Sequence, residues 1–146
     1  MTQTRMGEAF MPADEYGRGL PKFSVNLLVK SVPASLHFYR SVLQVTVRYS
    51  DNDFAALEWG GFEFMLHADH AYDKHPLHGR IAKGQERGNG VELRILGVDP
   101  DALEERARAA GANILHPAVD FPHGWREISL VDADGYVWVV GVVTPK

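Results

Sequence analysis

Two kinds of side chain in this sequence are placed to do chemistry: carboxylates set among apolar neighbours, and a run of histidines. Glu92 lies between Val91 and Leu93 in the strand-like stretch GVELRIL. A carboxylate on a partly buried face is costly unless it has a cation, a partner such as Arg94, or open solvent. That marks Glu92 as a candidate binding group, or as a general base. Four of the seven histidines, His67, His70, His75 and His78, fall in HADHAYDKHPLH. Clustered imidazoles can hold a transition metal, but no ligand spacing stands out. Pro76 and Gly79 mark the stretch as a polar connecting loop that edges the site. Arg126-Glu127 reads as a surface ion pair of small worth. There is no cysteine, which excludes thiolate catalysis, Cys-type zinc sites and disulfides. No Ser-His-Asp order occurs in usable context. Gly60-Gly61 and Gly88-Asn89-Gly90 are turn signals rather than phosphate cradles.

Composition narrows the partners. The chain has 146 residues, 45% of them apolar, and a formal charge of −4. This length suits one domain that buries enough surface to need no staple. The mild acidity argues against a nucleic-acid surface, which would need a basic stripe, and is compatible with a cationic ligand. No segment approaches the ~20 apolar residues of a membrane span. The first twenty residues hold no apolar run of signal-peptide length, so a cytoplasmic protein is expected.

The elements that position these residues come in a repeating order. Residues 1–21 show no clean period and read as an arm that is disordered or ordered only by a partner. Phe23 to Lys30 reads as a buried strand, with Val25, Leu27 and Val29 on one face and Ser24, Asn26 and Leu28 on the other. Ser31 caps a helix with Pro33 in its first turn; Val32, Leu36, Tyr39 and Leu43 form its apolar stripe. Strands follow at Val45–Tyr49, Phe54–Trp59 and Phe62–His67. Strand alternation puts Glu63, Met65 and His67 on one face of the last of these, and Phe62, Phe64 and Leu66 on the other. The order then repeats. Gly90–Leu96 is a strand, Asp99-Pro100 opens a helix striped by Leu103, Ala107 and Ala110, and Gly111 stops it. Ile114–His116, Trp125–Val131 and Tyr136–Val143 are strands, the last two joined by the turn Asp132–Gly135. The expectation is an α+β fold of two βαβββ repeats forming a curved mixed sheet around a cleft. Repeat one spans 22–68, the linker 69–89 and repeat two 90–143, all within one domain, 22–146. Glu63 then shares the cleft floor with Glu92.

Three stretches in this order resemble the vicinal-oxygen-chelate superfamily, which includes glyoxalases, extradiol dioxygenases and bleomycin-resistance proteins. They are VKSVPASLHFYRSVL with its Phe-Tyr pair, the segment from Leu93 to Gly111, and the closing hairpin PHGWREISLVDADGYVWVV. Enzymes of that superfamily hold a divalent metal at four equivalent positions. The resemblance places those positions at Ser24, Met65, Glu92 and Val139. A thioether and an alkyl group are poor partners for a hard cation, so the scaffold is expected without the metal and without another cofactor.

Metal-free members of bleomycin-resistance type sequester a flat cationic compound between aromatic and acidic walls. The resemblance therefore implies a small-molecule binding protein, paired as a homodimer, that sequesters a cationic aromatic compound such as a bleomycin-type antibiotic without chemistry. No nucleic-acid or membrane partner is expected. The ligand-binding residues would be Trp59, Glu63, Met65, Glu92, Trp125 and Arg126, with Trp125 and Arg126 at the cleft rim, and no residue would be catalytic. The other reading is a divergent enzyme of the same superfamily, a lyase, isomerase or dioxygenase.

Overall fold

A computed structural model describes residues 6–81 and 86–146. Residues 1–5 of the arm and 82–85 of the linker lie outside the described residues. The chain divides into two compact units, residues 6–36 with 45–81 and residues 37–44 with 86–146. Each unit carries its own four-stranded mixed sheet. Among the described residues no helix is long and apolar enough to cross a membrane.

In unit one, sheet one contains β1 (Asn26–Val29), β2 (Thr46–Ser50), β3 (Phe54–Trp59) and β4 (Phe62–Ala68), in the order β1-β4-β3-β2. β1 runs parallel to β4, and the other neighbours are antiparallel. Gly60 and Gly61 close the β3–β4 hairpin with φ of 57° and 83°, the left-handed region that glycine enters without steric cost. The expected alternation holds: Phe64 and Leu66 are buried with Leu27, Val29, Ala55 and Leu57.

The arm departs from its sequence reading. Order does not begin at Lys22, because α1 (Ala13–Arg18) forms and packs on its own sheet. Tyr16 and Leu20, with Tyr49, lie against the cluster of Phe54, Ala56 and Met65. Phe10 stacks on Tyr49 with ring centres 4.1 Å apart. The residues doing this are spread one per turn or wider among Gly and polar residues, so no hydrophobic period announced them.

The arm is tied down by Asp53, whose side chain is 2% exposed. Its Oδ1 accepts from the Met6 N–H at 2.8 Å and lies 2.7 Å from His70 Nε2, and its Oδ2 accepts from the Gly7 N–H at 3.0 Å. Burial alone would push this carboxyl up. His70 and the two N–H groups together outweigh it and hold the group below its ordinary value.

Unit two holds β5 (Glu92–Leu96), α3 (Pro100–Ala109), β6 (Asn113–Asp120), β7 (Trp125–Val131) and β8 (Val137–Val143). Sheet two has the order β5-β8-β7-β6, with β5 parallel to β8. This is the same order as sheet one. Asp99 caps α3 by accepting from the Asp101 N–H at 2.9 Å. Gly111 ends the helix at φ 71°, with the Ala112 N–H on the Ala107 carbonyl and the Gly111 N–H on that of Arg108, as a Schellman motif requires. β6 outruns its expected length through Pro117. It is the outer strand and its register shifts on both sides of His116, where a missing N–H is tolerated. The Ala118 N–H is instead satisfied by Glu104 of α3 at 2.8 Å.

The helix of repeat one, α2 (Val32–Phe38), continues as a wider π-turn from Tyr39 to Leu43. Gln44 ends it in the left-handed conformation, its N–H on the Tyr39 carbonyl. Tyr39 belongs to unit two and is wholly buried. Its hydroxyl donates to Asp132 Oδ2 at 2.7 Å and accepts from Trp138 Nε1 at 3.2 Å. Asp132 Oδ1 accepts the N–H groups of Asp134, Gly135 and Tyr136 at 2.9–3.0 Å, which shapes the β7–β8 turn. Burial raises the Asp132 carboxyl against these hydrogen bonds, and burial also lifts the Tyr39 hydroxyl well above its usual range. Trp138 is thus a core residue.

Two outcomes follow. Tyr39→Phe should cost about 1–3 kcal/mol in urea unfolding, because Asp132 and Trp138 both lose a partner while buried; no loss at all would mean the turn holds itself. Asp53→Asn should change the acid limb of stability. The wild-type advantage should be complete above about pH 4, the unfolded-state value, and shrink as pH falls toward the depressed folded-state value. A difference independent of pH from 2 to 6 would show that the charge of Asp53 contributes nothing.

Candidate functional site

On the inner face of sheet one the register fixes which side chains meet. Met65 of β4 pairs with Ala56 of β3 and with Asn26 of β1; His67 pairs with Phe54 and Leu28, and Glu63 with Glu58. Paired residues share a face, so Asn26, Glu63, Met65 and His67 line one surface, as expected for the three on β4. Met65 is buried beneath the arm's Tyr16 and Leu20 cluster. Asn26 binds His67 Nδ1 through Oδ1 at 2.6 Å and donates from Nδ2 to the Tyr72 hydroxyl at 2.7 Å.

Glu63 is compensated on both oxygens. Oε1 accepts from Arg48 Nη1 at 2.6 Å and Oε2 from the Tyr16 hydroxyl at 2.7 Å. Burial, reinforced by the Glu63 charge, pushes the Tyr16 hydroxyl above its ordinary range, so it stays protonated and stays a donor. Between the arm and the sheet lies a cavity of about 550 Å³, walled by Phe10, Glu15 and Tyr16 on one side and by Arg48, Ala56 and Glu63 on the other. Its size falls within the range of small-molecule pockets.

Trp59 does not join this wall. It pairs with Phe62, which shares the helix-side face with Phe64, so it points away from Glu63 and Met65. Phe62 in turn lies 6.4 Å from the ring of Phe23. The alternation that separated Phe62 from Glu63 also separates Trp59 from Glu58; followed one strand further, it would have placed Trp59 on the far face.

On the matching face of sheet two, β5 presents Glu92, Arg94 and Leu96 beside Val137, Val139 and Gly141 of β8. Arg94 bridges two carboxylates, Glu92 Oε1 at 3.1 Å and Glu127 Oε2 at 2.6 Å. Its guanidinium lies 4.6 Å from the ring centre of Trp125, within cation–π range. His123 Nε2 is 3.3 Å from the same Glu127 oxygen. The buried carboxylate expected at Glu92 is instead Glu127, which is 6% exposed, while Glu92 faces solvent. β5 is the outer strand of its sheet and β7 an inner one, which is the physical reason. Alternation along WREISLV, with Trp125, Glu127 and Ser129 together, carried the signal for Glu127.

Arg126 points to the opposite face from Trp125 and Glu127. It donates to Asp101 of α3 at 2.7 and 2.8 Å and to Asp120 at 3.2 Å. Of the six residues singled out in the sequence, Glu63 and Met65 meet in unit one, Glu92 and Trp125 meet through Arg94 in unit two, and Trp59 and Arg126 lie on the outer faces.

The four histidines do not converge. His67 serves Asn26, His70 serves Asp53, and the His75 Nδ1 caps the Leu77 N–H at 3.0 Å. Among the described residues no group of three or more His, Cys, Asp or Glu stands together to hold a metal ion. The four positions implied for a superfamily metal also have the wrong chemistry. Met65 is a thioether packed in an aromatic cluster, Val139 is a buried alkyl chain paired with the cationic Arg94, Glu92 is already on that arginine, and Ser24 precedes β1. This donor set does not fit a hard divalent cation.

Comparison with known proteins agrees with the fold. Functionally curated proteins offer no match. A solved glyoxalase/bleomycin resistance protein/dioxygenase family enzyme from Burkholderia phytofirmans PsJN is 23% identical, with TM-score 0.69 over 83% of this chain and 97% of its own. A glyoxalase-related enzyme from Fulvimarina pelagi is 20% identical, with TM-score 0.65 over 82% and 85%. A glyoxalase/bleomycin resistance protein/dioxygenase from Nocardioides is 24% identical, with TM-score 0.64 over 89% and 91%. At these identities the likeness is one of fold. The family model of the Glyoxalase/Bleomycin resistance protein/Dioxygenase superfamily matches residues 23–140, which takes in both βαβββ repeats, and the chain belongs to that superfamily.

Proposed function

We propose that this protein binds a planar, cationic aromatic compound, of the kind represented by bleomycin-type antibiotics, and releases it unchanged. The observation that carries the reading is the cavity of about 550 Å³ between the arm and sheet one, with aromatic rings and two carboxylates against one arginine. Phe10 and Tyr16 offer faces for stacking, and a cation over such a ring gains about 0.5–2 kcal/mol. Arg48 is 62% exposed where it meets Glu63, whose side chain is 15% exposed, so the guanidinium can move into water and leave the carboxylate to another cation. A cationic ligand can therefore take over Glu63.

The enzyme reading draws on a different place. Glu127 is a buried carboxylate beside His123, a pairing that serves acid–base chemistry elsewhere, and the solved relatives from Burkholderia and Fulvimarina are described as enzymes. Here Glu127 is already held by Arg94 at 2.6 Å, which favours a structural role.

Calorimetry and thermal shift against bleomycin and smaller aromatic cations test the proposal, because a ligand of the folded state raises its melting temperature. Glu63→Gln should weaken binding about fivefold, ~1 kcal/mol, and flatten its salt dependence. Tight binding of an anionic or neutral compound alone would remove the charge argument. Turnover lost in Glu127→Gln and kept in Glu63→Gln would establish the enzyme reading instead.

A further inference from the structure

The cavity's walls are unequal in origin. Phe10, Met11, Glu15, Tyr16, Gly19 and Pro21 come from the arm, and only a minority of its lining comes from the sheet. A ligand that fills it is covered by residues that precede the first strand. The described part of the arm is held by side-chain and N–H contacts rather than by a place in the sheet. α1 is six residues long with none of them buried, far below the length at which a helix stands alone in water. Among the described residues the arm's attachments to the sheet include the stack of Phe10 on Tyr49, the ring contacts of Phe10 and Tyr16 with Phe54, the hydrogen bond from Tyr16 to Glu63, the packing of Leu20, and the pair of N–H groups on Asp53.

We infer that residues 6–20 form a strap that lifts from and re-closes over the sheet-one cavity, and that the Asp53 carboxylate is its fastening. This rests on the reading of that cavity as the ligand site.

Asp53 suits the part because its own position does not depend on the arm. Asp51 Oδ1 accepts the N–H groups of Asp53 and Phe54 at 2.8 and 2.9 Å, so the β2–β3 turn presents the carboxylate ready made. His70, which is not part of the arm, lies 2.7 Å from Oδ1. Lifting the arm then opens both the carboxylate and the N–H groups to water, and neither is stranded. That makes the fastening reversible, where a contact that left a charge buried would not release. Elements with no buried residues of their own, as in α1, are also those that open locally at low cost.

Hydrogen exchange on Asp53→Asn is the test, with Gly7→Pro as a second variant that removes one donor and leaves the sheet untouched. Amides of the arm, Tyr16 among them, should exchange at least tenfold faster in Asp53→Asn, and those of β3 and β4 should keep their protection. Equal arm protection in both variants and the parent would overturn the strap, and so would loss of protection in β3 and β4 together with the arm. Stopped-flow binding of thioflavin T, a planar aromatic cation, reads the other half. Its association and dissociation should both quicken in step with arm exchange. Unchanged rates with a loosened arm would show that the dye passes the arm freely, which overturns the gating. Failure of the parent protein to take up the dye would count against the ligand class alone, with the exchange result still deciding the strap.

Discussion

A carboxylate taken out of water must be met by donors, and two such carboxylates organise this chain. Asp132 and Asp53 both sit in turns next to β-strands and are both nearly inaccessible to solvent. Each gathers donors from far along the sequence. Asp132 collects three turn N–H groups and the Tyr39 hydroxyl, 93 residues away. Asp53 collects His70 and the N–H groups of Met6 and Gly7, up to 47 residues away. Leaving either unmet would cost several times what an ordinary hydrogen bond contributes. The hairpin turn of unit two and the seat of the arm in unit one are therefore set by one requirement, applied twice.

That requirement explains why some features of the sequence were legible and others were not. The two repeats were readable because their signals are local: a cap, a proline in the first turn, an apolar stripe, a glycine stop. Asp99, Pro100, Leu103 and Gly111 do what those signals say. The faces of β4 followed from alternation alone. The Phe-Tyr pair of repeat one and the D-x-D-G turn of repeat two carried a resemblance without a reason, and the Tyr39–Asp132 hydrogen bond supplies it. The arm was illegible for the opposite cause. Its anchors are backbone N–H groups, which every residue except proline owns, so composition carries no trace of them. The π-turn after Phe38 is of the same kind, since it is stabilised by Tyr39 packing in unit two rather than by helix propensity.

The candidate site shows the limits of reasoning by position. Equivalent strands in the two sheets place Asn26 beside Met65 and Arg94 beside Val139. One face sets the apolar Met65 among Asn26, Glu63 and His67 and receives a cover of arm residues. The other carries a cation and compensates it with Glu92 and Glu127 while stacking it on Trp125. The apolar neighbours Val91 and Leu93 singled out Glu92 but misjudged its burial, because burial depends on whether a strand is at the edge or inside the sheet, and strand order is not written in spacing. Arg126 and Trp59 were placed at the site by resemblance, where alternation along their own strands was the better guide.

The arm also alters what the charges of sheet one mean. Without it, Glu63 would keep Arg48 of β2 on one oxygen but would present the other to solvent. With it, Tyr16 donates to one oxygen and Arg48 holds the other, so the field reaching solvent is small. Attraction at long range is therefore weak. On the proposed reading, a ligand would then be chosen by how its rings fit against those of the arm, where Phe10 is itself already stacked on Tyr49. A protein arranged in this way discriminates by fit after entry rather than by steering before it. On that same reading small inorganic cations, which cannot stack, would be poorer ligands than planar ones that can.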